Sequence, residues 1–224
     1  MRPYDLELTN YLQVGSTHPN SLKVIPAEKN KTSNFLIGDD STSLICYQFK
    51  KGELSQFWKT NPTNKEITRV IISGSKHNIF FSAGQSIRGV NKKGKEFFKL
   101  DTSHTETIRS IHVANTFLWS AGDFILNCYE STANKVVDRF YYVSDDKIND
   151  MKFASVGGEM VMNPVLGCAN STIKVLQDDK LYYQETVKSG VLSVHTVSGV
   201  KCATPLLMYG QRNGELGLMN LQRD

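Results

Sequence analysis

The 224-residue sequence has no long hydrophobic run, and no stretch approaches the ~18 consecutive apolar residues of a membrane-spanning helix. Its first residues, 1–7, contain no apolar run of signal-peptide length, so we expect a protein of the cytosol. A strong charge of either sign is also missing, because 26 Lys and Arg residues stand against 22 Asp and Glu residues. The net charge of +4 does not by itself predict nucleic-acid binding, which usually needs basic residues concentrated on one face.

Cysteine is scarce, and no two of the four cysteines are close enough for a CxxC metal or redox motif. Each lies among apolar neighbours, which favours buried, reduced thiols over disulfides. The four are Cys46, Cys128, Cys168 and Cys202.

Recognisable catalytic motifs are missing as well: there is no GxSxG elbow, P-loop or GxGxxG sequence. The five histidines form no HxH or HxxxH pair, and we expect each to be a turn or surface residue rather than a metal ligand. The acidic segment 145–150 lacks the ligand spacing of a calcium loop and is typical of a polar turn. The sequence therefore predicts a protein that is not an enzyme, with no catalytic residue, cofactor or metal site.

The sequence does contain a repeat of about 40 residues. Clear copies of its first apolar pattern begin at Ile67, Ile108, Ile148 and, more weakly, Val191. Each is followed by two apolar residues and small ones, as in Phe80-Phe81-Ser82-Ala83, and then by a third apolar segment and an aromatic-rich fourth. Runs of four to six apolar residues separated by Gly, Asn, Asp and Ser indicate strands rather than helices.

Four short strands in about 40 residues form the blade of a β-propeller. We therefore predict an all-β fold, a β-propeller of four-stranded blades with about five repeats present. A faint WD-repeat signature agrees: Leu100-Asp101 ends one repeat and Ser103-His104 follows. The predicted blades span approximately residues 21–62, 63–103, 104–144, 145–187 and 188–224.

The fifth repeat stops before its outer strand. Residues 1–20 are predicted to hold an N-terminal strand that serves as the outer strand of the closing blade. Two arrangements remain open, a closed five-bladed ring and an incomplete part of a larger propeller. Because unpaired strand edges promote association, we expect the second arrangement to make the chain aggregation-prone or dimeric.

A basic patch spans the hairpin turn of the second repeat. Its members are Arg88, Lys92, Lys93, Lys95 and Lys99, and Glu96 is the only opposing charge within it. Such a patch fits an acidic partner or phosphoinositide headgroups. It equally fits a solvated turn with no partner.

Several segments resemble the N-terminal propellers of the seventh Bardet–Biedl syndrome protein family, whose members are subunits of the BBSome. The most specific are IRGVNKKGK at 87–95 and DKIND at 146–150. The others are residues 5–15, 22–27, 37–39 and 50–53. Residues 163–164 and 199–202 do not match the family.

This resemblance implies a non-catalytic, protein-interaction scaffold within an adaptor that traffics membrane proteins in cilia. It implies a seven-bladed propeller, which favours the incomplete arrangement. The implied partners are other BBSome subunits, notably the second Bardet–Biedl protein, with membrane-protein cargo reached indirectly and no nucleic acid. The implied location is the cytoplasm, cilium and ciliary base, peripheral to the membrane. The alternative is a generic propeller scaffold in another cytosolic coat or assembly.

Overall fold

The computed structural model describes residues 9–27, 33–74, 77–132, 135–156, 162–197 and 206–221. Within these ranges the chain forms nineteen strands and no helix. The first sheet contains β1 (Thr17–Ile25), β2 (Asn34–Asp39), β3 (Leu44–Lys50) and β4 (Glu53–Lys59). The second contains β5 (Ile67–Ser73), β6 (Asn78–Ala83), β7 (Ser86–Val90) and β8 (Glu96–Asp101). The third contains β9 (Ser110–Ala114), β10 (Phe117–Ala121), β11 (Ile125–Ser131) and β12 (Val136–Val143).

The fourth sheet contains β13 (Ile148–Ser155), β14 (Met162–Cys168), β15 (Thr172–Gln177) and β16 (Lys180–Thr186). The fifth contains β17 (Val191–Val197), β18 (Leu206–Gln211) and β19 (Leu216–Asn220). In every sheet, neighbours in sequence pair antiparallel. The first strands of four sheets, and Arg109 directly before the first strand of the third, line a common central cavity. The predicted all-β propeller is confirmed, with five blades in a ring.

In the part of the chain that the structure describes, the core consists of four apolar clusters, each lying between two consecutive sheets. Strand β6 shows how one strand serves two clusters. Phe81 is buried against Leu36 and Cys46 of the first sheet, whereas Phe80 is buried with Ile111 of the third. Successive side chains of a strand point to opposite faces, so an unbroken apolar run is what a strand buried on both faces requires.

The cysteine prediction is confirmed for the described thiols. Cys46, Cys128 and Cys168 are buried and free. Burial raises the pKa of Cys46 and of Cys128 to about 12, so both remain protonated at neutral pH. Cys202 lies outside the described residues.

The prediction that every histidine is a turn or surface residue is wrong for two of them. His104 is buried, and its Nε2 lies 2.8 Å from the hydroxyl of Ser120. The ring of His112 stacks on Phe153 of the fourth sheet, with centroids 3.9 Å apart and planes 11° from parallel. These imidazoles form part of the packing within and between sheets, which the sequence pattern did not reveal.

The described N-terminal residues contact the first sheet. Tyr11 packs edge-on against Phe49, and the backbone N–H of Gly15 donates to Asp39 at 3.2 Å. Residues 9–16 form no strand, and 1–8 lie outside the described residues. The N-terminal closing strand therefore stays a prediction.

We predict that acid destabilises the interface between the third and fourth sheets through His112. Burial first, and then the charge of Lys152, lower the pKa of His112 to about 4, from an ordinary value of 6.5. The unfolded chain therefore takes up this proton at a higher pH than the folded chain. The stabilisation is present above pH 6.5 and is lost as the pH falls towards 4, by up to about 3 kcal/mol.

Chemical denaturation of the parent chain and of His112→Phe at pH 7 and pH 4.5 measures this effect. The variant keeps an aromatic ring but cannot titrate, so we expect it to lose less stability in acid than the parent does. His195→Phe, on the exposed side of β17, is the matched control. An equal acid-induced loss in parent and His112→Phe would exclude His112 as the cause.

We also predict that the 224-residue chain self-associates through the fifth sheet. The β19 edge has no further strand among the described residues, and its Leu216 and Leu218 are 77% and 65% exposed. Leu216→Ser with Leu218→Ser should shift light-scattering mass towards the monomer, whereas Leu12→Ser with Leu181→Ser should not. A monomeric parent chain at micromolar concentration would contradict this prediction.

Candidate interaction surface

The hairpin that joins β7 and β8 has a tightly held backbone. The side-chain Oδ1 of Asn91 accepts hydrogen bonds from the N–H groups of Lys93 and Lys95 at 2.9 and 3.1 Å. The N–H of Gly94 donates to the carbonyl of Asn91 at 2.9 Å, and the N–H of Asn91 donates to the carbonyl of Lys95 at 3.0 Å. An Asn that caps its own turn in this way holds the following residues in one conformation. The backbone positions of the turn lysines are therefore fixed.

Trp58 of the first sheet joins this hairpin from the neighbouring blade. Its indole N–H donates to the carbonyl of Lys92 at 2.8 Å. Gly94 has φ +78°, and a Cβ added there would lie 2.8 Å from Cδ2 of the indole ring. Glycine is therefore required twice, for its left-handed backbone and for the close approach of the ring. The sequence pattern predicts only an aromatic-rich strand here and not this contact between blades.

Arg88 and Lys99 of the predicted basic patch have carboxylate partners. Arg88 and Lys99 are cross-strand neighbours on β7 and β8. Arg88 lies 3.6 Å from Glu96, and Lys99 lies 2.9 Å from Asp101. Hydrogen bonds from Ser86 and Lys99 lower the pKa of Asp101, so this second opposing carboxylate stays charged at neutral pH. Asp101 thus adds to Glu96 as an opposing charge, just beyond the residues of the predicted patch.

The three turn lysines differ in exposure. Lys93 and Lys95 are exposed, and Lys92 is half-buried beside Trp58. All five residues thus lie in one hairpin, and the solvent-exposed positive charge is mainly that of Lys93 and Lys95 at its tip. A carboxylate or phosphate group would meet Lys93 and Lys95 first.

An aromatic cluster lies next to the hairpin, on β6 and β8. The register of β8 shifts at Phe97, a bulge that lets Phe97 and Phe98 both contact Phe80, at ring-centroid distances of 5.6 and 5.7 Å. Gly89 makes room beneath them, because a Cβ there would lie within about 3 Å of the Phe98 Cβ and of the rings of Phe97 and Phe80. Phe97 remains 50% exposed.

Phe97 forms one side of a groove of about 640 Å³ between the second and third sheets. Phe117, Leu118 and Val136 of the third sheet line this groove as well, together with Lys99 and Lys135. No Asp or Glu is found among the described residues that line this groove. Its chemistry fits an apolar side chain flanked by acidic residues.

Within the ranges given above, no group of three or more His, Cys, Asp or Glu residues could hold a metal ion. No helix of the described chain is long and apolar enough to cross a membrane.

Comparison with protein families gives a match to a model described as the BBS7 beta-propeller, over residues 22–224. The BBSome complex member BBS7 of Mus musculus is 33% identical over 223 residues, which cover 96% of this chain and 30% of the relative. The BBSome complex member bbs-7 of Caenorhabditis elegans is 28% identical over 223 residues, which cover 95% of this chain and 30% of that relative. The chain thus spans about a third of the length of these relatives.

Solved structures agree with the fold. A crystal structure of BBS1N in complex with ARL6DN matches with a TM-score of 0.69 at 10% identity, covering 90% of this chain and 65% of that one. The WD40 β-propeller domain of Doa1 matches with a TM-score of 0.63 at 13% identity, covering 85% of this chain and 61% of that one. At these identities the likeness concerns the fold alone.

We predict that the hairpin depends on Gly94 and not on its lysine side chains. Gly94→Ala should destabilise the protein by roughly 1–3 kcal/mol, because alanine resists φ +78° and its Cβ meets Trp58. Replacing Lys92, Lys93 and Lys95 together with Ala should change stability by less than about 0.5 kcal/mol. Urea denaturation measures both. A large loss in the triple variant would show that these side chains are packed.

Proposed function

The chain belongs to the BBS7 β-propeller family, and on this basis we propose that it acts as a non-catalytic protein-interaction scaffold, a subunit of the BBSome adaptor that traffics membrane proteins in cilia. The observation that carries the proposal is the family match over residues 22–224. The mouse and nematode relatives, both named BBSome complex members, support it. A rigid ring of blades with exposed connections suits such a role, since it presents several surfaces at fixed relative positions.

The proposed partners are other BBSome subunits, notably the second Bardet–Biedl protein. Membrane-protein cargo would be reached indirectly, and no nucleic acid is involved. The proposed location is the cytoplasm, the cilium and the ciliary base, peripheral to the membrane. We infer these partners and this location from the family. They remain proposals because the chain covers only 30% of each relative's length.

The hairpin tip and the groove beside Phe97 are the surface that we propose for one such partner. Lys93 and Lys95 supply positive charge, and Phe97 supplies an apolar contact within a concave groove. An acidic protein segment with an apolar side chain can satisfy both features. Phosphoinositide headgroups would satisfy the charge, but a flat bilayer surface would not fill the groove between two sheets. We therefore favour a protein partner over the lipid contact.

Co-purification from ciliated cells tests the function. The tagged chain should recover other BBSome subunits at levels that mass spectrometry detects as stoichiometric. A wild-type chain that recovers none of them, but a different set of proteins, would overturn the BBSome assignment while leaving the fold intact.

The contact surface has a separate test. Lys93→Glu with Lys95→Glu should lower recovery of the contacting subunit about tenfold, equivalent to ~1.4 kcal/mol, because two favourable charges become repulsive. Lys50→Glu with Lys51→Glu makes the same charge change at the corresponding hairpin of the first sheet and should have no effect. If the two double variants recover the subunit equally well, the hairpin is not part of the interface. Loss of flotation with phosphoinositide vesicles, with subunit recovery unchanged, would assign the hairpin to lipid instead.

A further inference from the structure

The central cavity of the ring has a volume of about 320 Å³ and is lined by residues from all five sheets or the segments that lead into them. Those that carry chemistry are His18, Arg69, Arg109, Lys147, Asp150 and Ser193. The volume is at the lower end of the ~300–1,000 Å³ range of small-molecule sites, so a compact ligand would fit.

A buried ion pair closes one side of this cavity. Arg69 on β5 and Asp150 on β13 are 6% and 8% exposed, and Nη2 of the arginine lies 3.3 Å from Oδ1 of the aspartate. The other carboxylate oxygen of Asp150 accepts the backbone N–H of Val194 at 3.1 Å. Asp150 is therefore engaged at both oxygens. Arg69 is not, because its buried Nε has no hydrogen-bond partner.

Positive charge exceeds negative charge around this pair. Arg109 and Lys147, both about half-exposed at the cavity wall, share the single carboxylate of Asp123 at 2.7 and 3.5 Å. Asp150 is the one acidic residue among the described residues that line the cavity.

Two further lysines add to this excess, Lys23 on β1 and Lys152 on β13. Burial and then the charge of Arg69 lower the pKa of both. Among the described residues, five lysine and arginine side chains thus meet three carboxylates around the axis: Asp150, Asp123, and Glu66, which lies 2.9 Å from His18.

We propose that this axial cavity binds a small phosphate-bearing anion. Guanidinium groups pair with phosphate oxygens through two parallel N–H donors, and Arg69 and Arg109 approach the cavity from different sheets. An anion there would satisfy the free N–H of Arg69 and offset the repulsion among the surrounding cations. It would also add to the contacts across the axis that the Arg69 and Asp150 pair already makes between the second and fourth sheets. This site is independent of the proposed subunit contact at the hairpin.

Calorimetric titration of the 224-residue chain with sodium pyrophosphate tests the proposal, with sodium chloride at equal ionic strength as the reference. We expect one saturable site and a rise in melting temperature that the chloride reference does not produce. Arg109→Gln with Lys147→Gln should raise the Kd at least tenfold. Both side chains are partly exposed, so these variants should fold.

Lys50→Gln with Lys51→Gln is the control, because it removes two positive charges outside the lining of the cavity. Its Kd should equal that of the parent. Absence of saturable pyrophosphate binding would overturn the proposal, and so would an equal loss of affinity in the control, which would show non-specific attraction. Binding to phosphoinositide vesicles without binding to pyrophosphate would also overturn it, since it would locate phosphate recognition on the outer surface. Binding to both, each lost in the Arg109 and Lys147 variant, would support the cavity and include lipid headgroups among its ligands.

Discussion

The fold depends on one constraint: a blade that lies between two other blades has to bury both faces of its inner strands. Phe80 and Phe81 satisfy this constraint with adjacent residues that pack in opposite directions, towards Ile111 and towards Leu36. The described part of a ring built in this way has no single core but four clusters between consecutive sheets. Each blade is therefore stabilised mainly by its neighbours, as in other repeat architectures.

This constraint explains why the fold could be predicted from the sequence while much of the candidate site could not. Strand order, repeat length and burial on two faces all leave local, periodic traces such as Phe80-Phe81-Ser82-Ala83. The Trp58 contact with Lys92 joins residues 34 positions apart, and the Arg69 pair with Asp150 joins residues 81 positions apart. No short pattern encodes contacts at those separations. The burial of His112 was missed for the same reason, since it requires Phe153 from the next blade.

The two basic regions differ in what their surroundings allow. At the hairpin, Lys93 and Lys95 are in water, where charge attracts a partner but contributes little to stability. At the axis, Arg69 is shielded from water, where an unpaired donor is costly and a matching anion is correspondingly favourable. The patch that is conspicuous in the sequence is therefore suited to recognition at the surface. The residues at the axis are far apart in the sequence, and there an unpaired charge costs more free energy than at the hairpin, because Arg69 is buried.

The axial ion pair also bears on how a non-catalytic scaffold maintains its surfaces. Removing one member of a buried pair typically costs about 3–5 kcal/mol, because the other charge is left without compensation. Arg69 and Asp150 thus resist separation of the second and fourth sheets, and the bond from Val194 extends this resistance to the fifth. Trp58 joins the first sheet to the hairpin of the second at the outer side of the ring. Polar contacts between sheets are therefore present both at the axis and at the outer side. Binding surfaces on such a ring keep their geometry before a partner arrives, which lowers the entropy lost on assembly.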